Sequence, residues 1–164
     1  PAGEVGDIEI RGPNLFKGYW RKPDRTREEM RPDGFFRTGD VGRLDARGYL
    51  HIVGRAKDLI ISGGLNVYPK EVELLIDQMA GVGESAVIGV PHPDFGEGVI
   101  AVVTPRDGQP PPDGERIIAR LKRELAGFKV PKRVFVVDEL PRNAMGKVEK
   151  ARLRERFAHA FEGG

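Results

Sequence analysis

The chain has 164 residues, room for one ordinary domain or two small ones, and its 27 basic and 25 acidic side chains leave a net charge of +2. It contains no cysteine, which excludes disulfide scaffolds, thiol catalysis, zinc ribbons and iron–sulfur clusters and fits a reducing, cytoplasmic setting. Its 22 glycines and 13 prolines point to many turns, short of a collagen-like or disordered composition.

The longest apolar stretches, such as residues 99–104, fall far below the roughly 20 residues that a membrane span needs. No secretory leader pattern is visible. The first residue is Pro1 rather than Met, which reads as a processed or truncated chain. The isoelectric point near 9.0 raises nucleic acid as a partner. The charges are interspersed, however, and no basic stripe alternates with aromatics, so no nucleic-acid partner is expected.

Residues 1–56 read as strand and turn. Val5-Gly6-Asp7-Ile8-Glu9-Ile10 alternates with the period of a half-buried strand. Asp33-Gly34 and Arg47-Gly48 are turn signals, and residues 49–53 form a second strand candidate between Gly48 and Gly54. The polar run Gly54-Arg55-Ala56-Lys57-Asp58 separates two apolar strands, 49–53 and 59–61, as a domain boundary or as a hairpin turn.

The pattern then becomes α+β. Pro69 suits a first helical position, with Glu71 and Glu73 near the positive end of the dipole. Val72, Leu75, Ile76 and Met79 share one helical face, and Gly81 fits the C-terminal cap. Residues 86–90 and 99–103 read as strands joined by 91–98, and 106–114 as an exposed proline-stiffened loop. A second amphipathic helix covers 115–126, with Ile117, Ile118, Leu121 and Leu125 inward and Gly127 at its end. A strand at 134–137, a loop at 140–147 and a last helix at 149–161, with Leu153, Phe157 and Phe161 on its apolar face, complete the chain.

Two stretches fit G-x-G-x-x-A, at 81–86 and 96–101, but each leads into a strand, whereas a dinucleotide fingerprint opens a helix. They read as turns. His51, His92 and His159 lack metal-motif spacing, so no metal site is expected, and no serine sits on a G-x-S-x-G elbow.

Three constellations are more specific. In Arg37-Thr38-Gly39-Asp40 a Thr-Gly turn presents a carboxylate able to face a sugar diol; alone it also reads as an Asx-type turn. In the run from Gly54-Arg55 to Ser62-Gly63-Gly64-Leu65-Asn66-Val67-Tyr68-Pro69, paired glycines before a helix allow close backbone approach to a ligand. Leu140-Pro141-Arg142-Asn143-Ala144-Met145-Gly146-Lys147-Val148 puts a lysine, a mobile point charge, on a glycine-containing loop.

Together and in this order, these stretches resemble the C-terminal part of the adenylate-forming enzymes: acyl-CoA synthetases, peptide-synthetase adenylation domains and luciferases. The resemblance covers nearly the whole chain. Residues 3–19 resemble the family's G-E-[LI]-x-[IV]…G-Y strand motif, 36–40 its [YF]-x-T-G-D motif, 54–73 its hinge motif and 141–147 its P-x-[NT]-x-x-G-K motif. Residues 63–73, 92–98 and 140–148 look most like malonyl-CoA or methylmalonyl-CoA synthetases.

The resemblance implies an α+β chain: 1–56 as the last β-subdomain of a large N-terminal domain, and 57–164 as a mobile C-terminal domain. It implies a carboxylate, ATP and CoA as reactants, with ATP and Mg held mainly by N-terminal sequence that is missing. Asp40 matches the aspartate holding both ribose hydroxyls, and Arg55 the arginine near the hinge that also contacts the ribose. Lys57 matches the hinge, Gly63 and Gly64 the pantetheine tunnel, and Lys147 the lysine that reaches the α-phosphate and carboxylate. The family's Ser/Thr/Gly-rich phosphate loop and its Tyr-Gly-x-Thr-Glu segment are absent, so the chain alone is expected to be inactive. Asn66 stands where some acetyl-CoA synthetases have arginine. Loading of a carrier protein instead of CoA, or a non-catalytic binding module of the same fold, are the alternatives.

Overall fold

In the computed structural model, which describes residues 3–162, the opening alternation becomes β1 (Gly6–Ile10). Pro1, Ala2, Gly163 and Gly164 lie outside the described residues, and so does the expectation attached to Pro1. The chain divides into two units, Pro1–Lys57 and Asp58–Gly164.

In the first unit β1, β2 (Phe36–Leu44) and β3 (Leu50–Arg55) form an antiparallel sheet in that order. Residues 37–40, expected as a turn, lie inside β2. Asp7 pairs with Val41 and Glu9 with Arg37, so Thr38, Gly39 and Asp40 bulge opposite Ile8. Gly39 takes φ +72° there, a left-handed conformation that glycine adopts without strain. The sequence also gave no sign of α1 (Pro23–Glu29), whose Pro23 presets the first turn. Lys22 supplies no capping side chain, so the usual start signal is missing. Tyr19 secures this helix: its backbone N–H donates to Thr26 Oγ1 at 2.9 Å and its hydroxyl donates to Glu29. That bond raises the Tyr19 pKa and lowers that of Glu29.

The segment 56–58 is no hairpin. It is a 3-10 turn, Ala56–Asp58, and the strands on either side of it belong to different sheets.

The second unit contains β4 (Ile60–Ser62), β5 (Leu65–Val67), α2 (Pro69–Ile76), β6 (Val82–His92), β7 (Gly96–Pro105), α3 (Gly114–Glu124), β8 (Arg133–Val136) and α4 (Lys150–Arg156). Its sheet runs β5-β4-β7-β6, with β8 parallel to β7. Helices cover both faces. Val87, Val99, Ala101 and Val103 meet residues of α2 and α3 such as Ile76 and Leu121. Ala86, Ile88, Ile100 and Val102 meet Leu153 of α4 on the other side. With both faces buried, β6 and β7 are apolar without alternation, which is why only their middles were legible as strands. They form one long hairpin, and the glycines at 83, 96 and 98 lie within its strands rather than in turns.

Two helices stop five residues short of expectation. α2 stops at Ile76, not at Gly81; Met79 keeps the helical spacing but is buried from the turn that follows. α4 stops at Arg156, and Phe157 and Phe161 pack against the core from the turns beyond it. α3 begins as a helix should: Asp113 Oδ1 accepts from the backbone N–H of Glu115 at 2.9 Å.

Among the described residues, no strand pairs with the outer edge of β6. Glu73 of α2 covers it, accepting from the Val87 N–H at 2.9 Å through Oε1. The same oxygen holds Lys150 Nζ of α4 at 2.6 Å. One carboxylate thus ties α2, the sheet edge and α4 together.

Candidate functional site

In the first unit the β2–β3 register places Asp40 opposite Arg55. Arg55 Nε lies 2.9 Å from Asp40 Oδ1, and Arg55 Nη1 donates to the Thr38 carbonyl at 3.0 Å. The bulge is fixed from both sides: Thr38 Oγ1 donates to the Ile8 carbonyl at 2.9 Å and accepts from the Asp40 N–H at 3.0 Å. Asp40 Oδ2 has no hydrogen-bond partner among the described residues. The result is a half-buried carboxylate, held by a guanidinium, with one oxygen left to accept hydroxyl donors.

The hairpin that sets this register is closed by Asp45. Its carboxylate binds His51 Nε2 at 3.0 Å and accepts from the N–H groups of Tyr49 and Arg47. The His51 contact first, then these backbone donors, hold the Asp45 carboxyl below the usual aspartate range.

Lys57 is exposed in the 3-10 turn and is the last residue of the first unit. On the other side of the boundary, Asp58 pairs with Arg154 of α4 at 3.3 Å.

Gly63 and Gly64 are a two-residue hairpin loop between β4 and β5, since Ser62 pairs with Leu65. Their φ values of +58° and +78° are both positive, as the tight primed turn of such a loop requires. Sequence placed them only before a helix and missed this hairpin. Gly63 lies against the tip of the β6–β7 hairpin, its N–H donating to the Phe95 carbonyl at 2.9 Å. Around Gly64 a Cβ would meet no described atom within 4 Å.

Lys147 is exposed on the loop before α4, and no ion pair or side-chain hydrogen bond holds its ammonium among the described residues. The loop beneath it is ordered by its own polar groups. Asn143 Oδ1 accepts from the N–H groups of Met145 and Lys147, both at 3.0 Å. The Asn143 N–H donates to the Lys147 carbonyl at 2.9 Å, and Gly146 turns the chain at φ +76°. Arg142 Nη1 donates to the Gly146 carbonyl at 2.7 Å, while its Nη2 pairs with Glu84 of β6.

The structure therefore brings Asp40 and Arg55 into contact and keeps Gly63–Gly64 apart from Lys147. The glycine hairpin touches the tip of β6–β7, beyond His92; the lysine loop is tied to Glu84, near the opposite end of β6. The stretch of β6 from Glu84 to His92 spans roughly 26 Å. In sequence, Arg142 and Asn143 belong to the lysine loop without a distinct role, and Glu84 reads as one more surface charge. Among the described residues no three His, Cys, Asp or Glu side chains gather to hold a metal ion. Magnesium thus has no donor set among these residues. No described helix is long and apolar enough to cross a membrane.

Residues 71–147 match the family described as the AMP-binding enzyme C-terminal domain. The chain carries an AMP-binding enzyme C-terminal domain. It is 50% identical over 157 residues to a feruloyl-CoA synthase of Amycolatopsis, covering 96% of this chain and 32% of that protein. ATP-bound MatB of Rhodopseudomonas palustris is 57% identical, with a TM-score of 0.87 over 99% of this chain and 32% of MatB. The amide bond synthetase McbA of Marinactinospora thermotolerans is 41% identical, with a TM-score of 0.87 over 96% of this chain and 32% of McbA. The chain thus spans about a third of the length of the proteins it matches. Its α+β fold is that of this domain in the adenylate-forming enzymes, and its curated relatives include acyl-CoA ligases.

Proposed function

We propose that this chain is the C-terminal portion of an AMP-forming acid–CoA ligase, with residues 1–56 completing the large domain and 57–164 forming a mobile domain hinged at Lys57. A carboxylate oxygen attacks the α-phosphorus of ATP, the bond to pyrophosphate breaks, and an acyl-adenylate forms. The CoA sulfur, having lost its proton, then attacks the acyl carbon, and AMP leaves.

The observation that carries this reading is the separation of Lys147 from Gly63–Gly64 along one rigid hairpin. A single docked pose cannot bring both to one reaction centre. Two poses can, one for each half-reaction, and a few residues at the unit boundary suffice as a hinge. Asp40 accepts the ribose hydroxyls through its uncommitted oxygen, and Arg55 holds that carboxylate and faces the ribose. Lys147, without a protein partner, supplies charge at the α-phosphate and is withdrawn when the domain turns. Gly63 and Gly64 line the path of the pantetheine thiol. The protein contributes position and charge rather than a nucleophile.

Malonate or methylmalonate is the proposed acid, on the resemblance of residues 63–73, 92–98 and 140–148. Free CoA is the proposed acceptor, ATP and Mg are held mainly outside this chain, and the setting is the cytoplasm. Likeness to an amide bond synthetase supports a second reading, in which an amine captures the adenylate. Supplying CoA, a carrier thiol or an amine to the preformed adenylate separates these acceptors, and only rapid capture by CoA upholds the first.

The phosphate loop is absent from the sequence, so the isolated chain mixed with ATP, malonate and CoA is expected to release no AMP; steady turnover would refute the division of labour. In the full-length ligase, Gly64→Leu is expected to slow thioester formation about 100-fold and leave adenylation within about twofold. Gly64→Ala is the control for backbone strain, which costs about 1–2 kcal/mol at positive φ. Equal loss in both half-reactions would count against a tunnel role.

A further inference from the structure

We propose that Arg142 and Glu84 form a tether that positions Lys147, with Arg142 acting through the loop and touching no substrate. The inference rests on the proposed role of Lys147 and extends it to two residues with no assigned part in the reaction.

A lysine on a flexible loop samples many positions, and fixing a catalytic group recovers the rate lost to that wandering. Here the loop is closed twice. Asn143 closes it internally through the Met145 and Lys147 N–H groups. That closure shapes the turn but does not orient it on the domain. Arg142 supplies the orientation: one arm of its guanidinium binds the Gly146 carbonyl, adjacent to Lys147, and another binds Glu84. Arg142 also bridges to Val148 across the turn.

Glu84 is a firm anchor. It sits at a bulge in β6 where the strand register shifts, and its N–H donates to Thr104 Oγ1 at 3.1 Å. The bulge follows Gly83, where a Cβ would come within 2.6 Å of the Pro105 carbonyl oxygen. Only arginine fits the bridging role, because its planar fork reaches an acceptor on each side, whereas a lysine ammonium is a single point. The pairing has an electrostatic result as well. With Arg142 neutralised by Glu84, Lys147 is the uncompensated cation of the segment 140–148, so an incoming phosphate meets one charge in one place.

The test has two arms. In this chain, hydrogen exchange at the Lys147 N–H is expected to speed up at least tenfold in Arg142→Ala and in Glu84→Gln, with exchange in the middle of β7 unchanged. In the full-length ligase, Arg142→Ala is expected to lower single-turnover adenylate formation by about 10–100-fold, with conversion of supplied acyl-adenylate and CoA to thioester kept within about twofold. Arg142→Lys recovers less than half of that loss. Lys147→Ala, run alongside, separates the two ideas. If Lys147→Ala leaves adenylation intact, the role of Lys147 fails. If Lys147→Ala abolishes it while Arg142→Ala leaves it unchanged or slows both half-reactions equally, the tether fails. Unchanged Lys147 exchange in both tether variants also overturns it.

Discussion

Lys147→Ala in the full-length ligase is expected to lower the rate of adenylate formation about 10²–10³-fold, the loss that follows removal of one preorganised charge or donor at a developing negative centre. Thioester formation from supplied acyl-adenylate is expected to stay within about twofold. The reason lies in the surroundings of the ammonium. It is exposed, and no described carboxylate neutralises it, so its charge is fully available to a phosphate once closure excludes water and strengthens the attraction. Arg142, the other cation of the segment 140–148, is already paired with Glu84 and is not free to replace it. Pyrophosphate release reads the first half-reaction and AMP release from the supplied adenylate reads the second. Lys147→Arg is expected to restore only part of the rate, since a planar, delocalised fork does not occupy the place of a compact ammonium. Similar losses in both half-reactions would show that residue 147 serves the domain as a whole rather than the first step.

The parts of this chain that were legible in sequence are those whose signals are local. Alternation marked β1 and helical spacing marked α2 and α3, while short motifs single out Asp40, Arg55, Gly63, Gly64 and Lys147 as the residues of the proposed site. What stayed hidden depends on residues far apart in the chain. The contact between Asp40 and Arg55 arises from the β2–β3 register, and the Thr38–Asp40 bulge that shapes it disguised β2 as a turn. α1 is short and has no capping side chain, so it left no boundary signal. Met79, Phe157 and Phe161 keep a helical apolar spacing outside any helix, because the core accepts a side chain from a turn as readily as from a helix. Glu84, Glu73 and Lys150 are invisible for a further reason: a charged residue beside an apolar one reads as solvated surface until its partner is known. Gly63 and Gly64 read in sequence as a place of close ligand approach, and the hairpin loop that also demands glycine there depends on the pairing of Ser62 with Leu65.

Glu73→Ala is expected to destabilise the second unit by about 3–5 kcal/mol, the range for stripping one partner from a buried ion pair. Glu73 is only 7% exposed, and its removal leaves two groups stranded. One is the Val87 N–H on the uncovered edge of β6, which alone costs about 1–3 kcal/mol when left unsatisfied. The other is Lys150, which opens α4. A cation there faces the positive end of the helix dipole, so the local sequence gives it no support and Glu73 supplies all of it. Glu73→Gln keeps an acceptor for Val87 while stranding Lys150, and is expected to fall between wild type and Glu73→Ala. Glu73→Leu combined with Lys150→Met removes both charges together and is expected to recover most of the loss, since apolar replacement of a whole buried pair is often neutral. The residual deficit then measures the Val87 N–H. Urea unfolding of this chain at pH 7, followed by a probe in the second unit, reads all four values. A Glu73→Ala penalty below about 1 kcal/mol, the value for exposed pairs, would mean that water already screens this contact. The start of α4, and with it the base of the Lys147 loop, would then be held by Leu153 and its apolar neighbours instead.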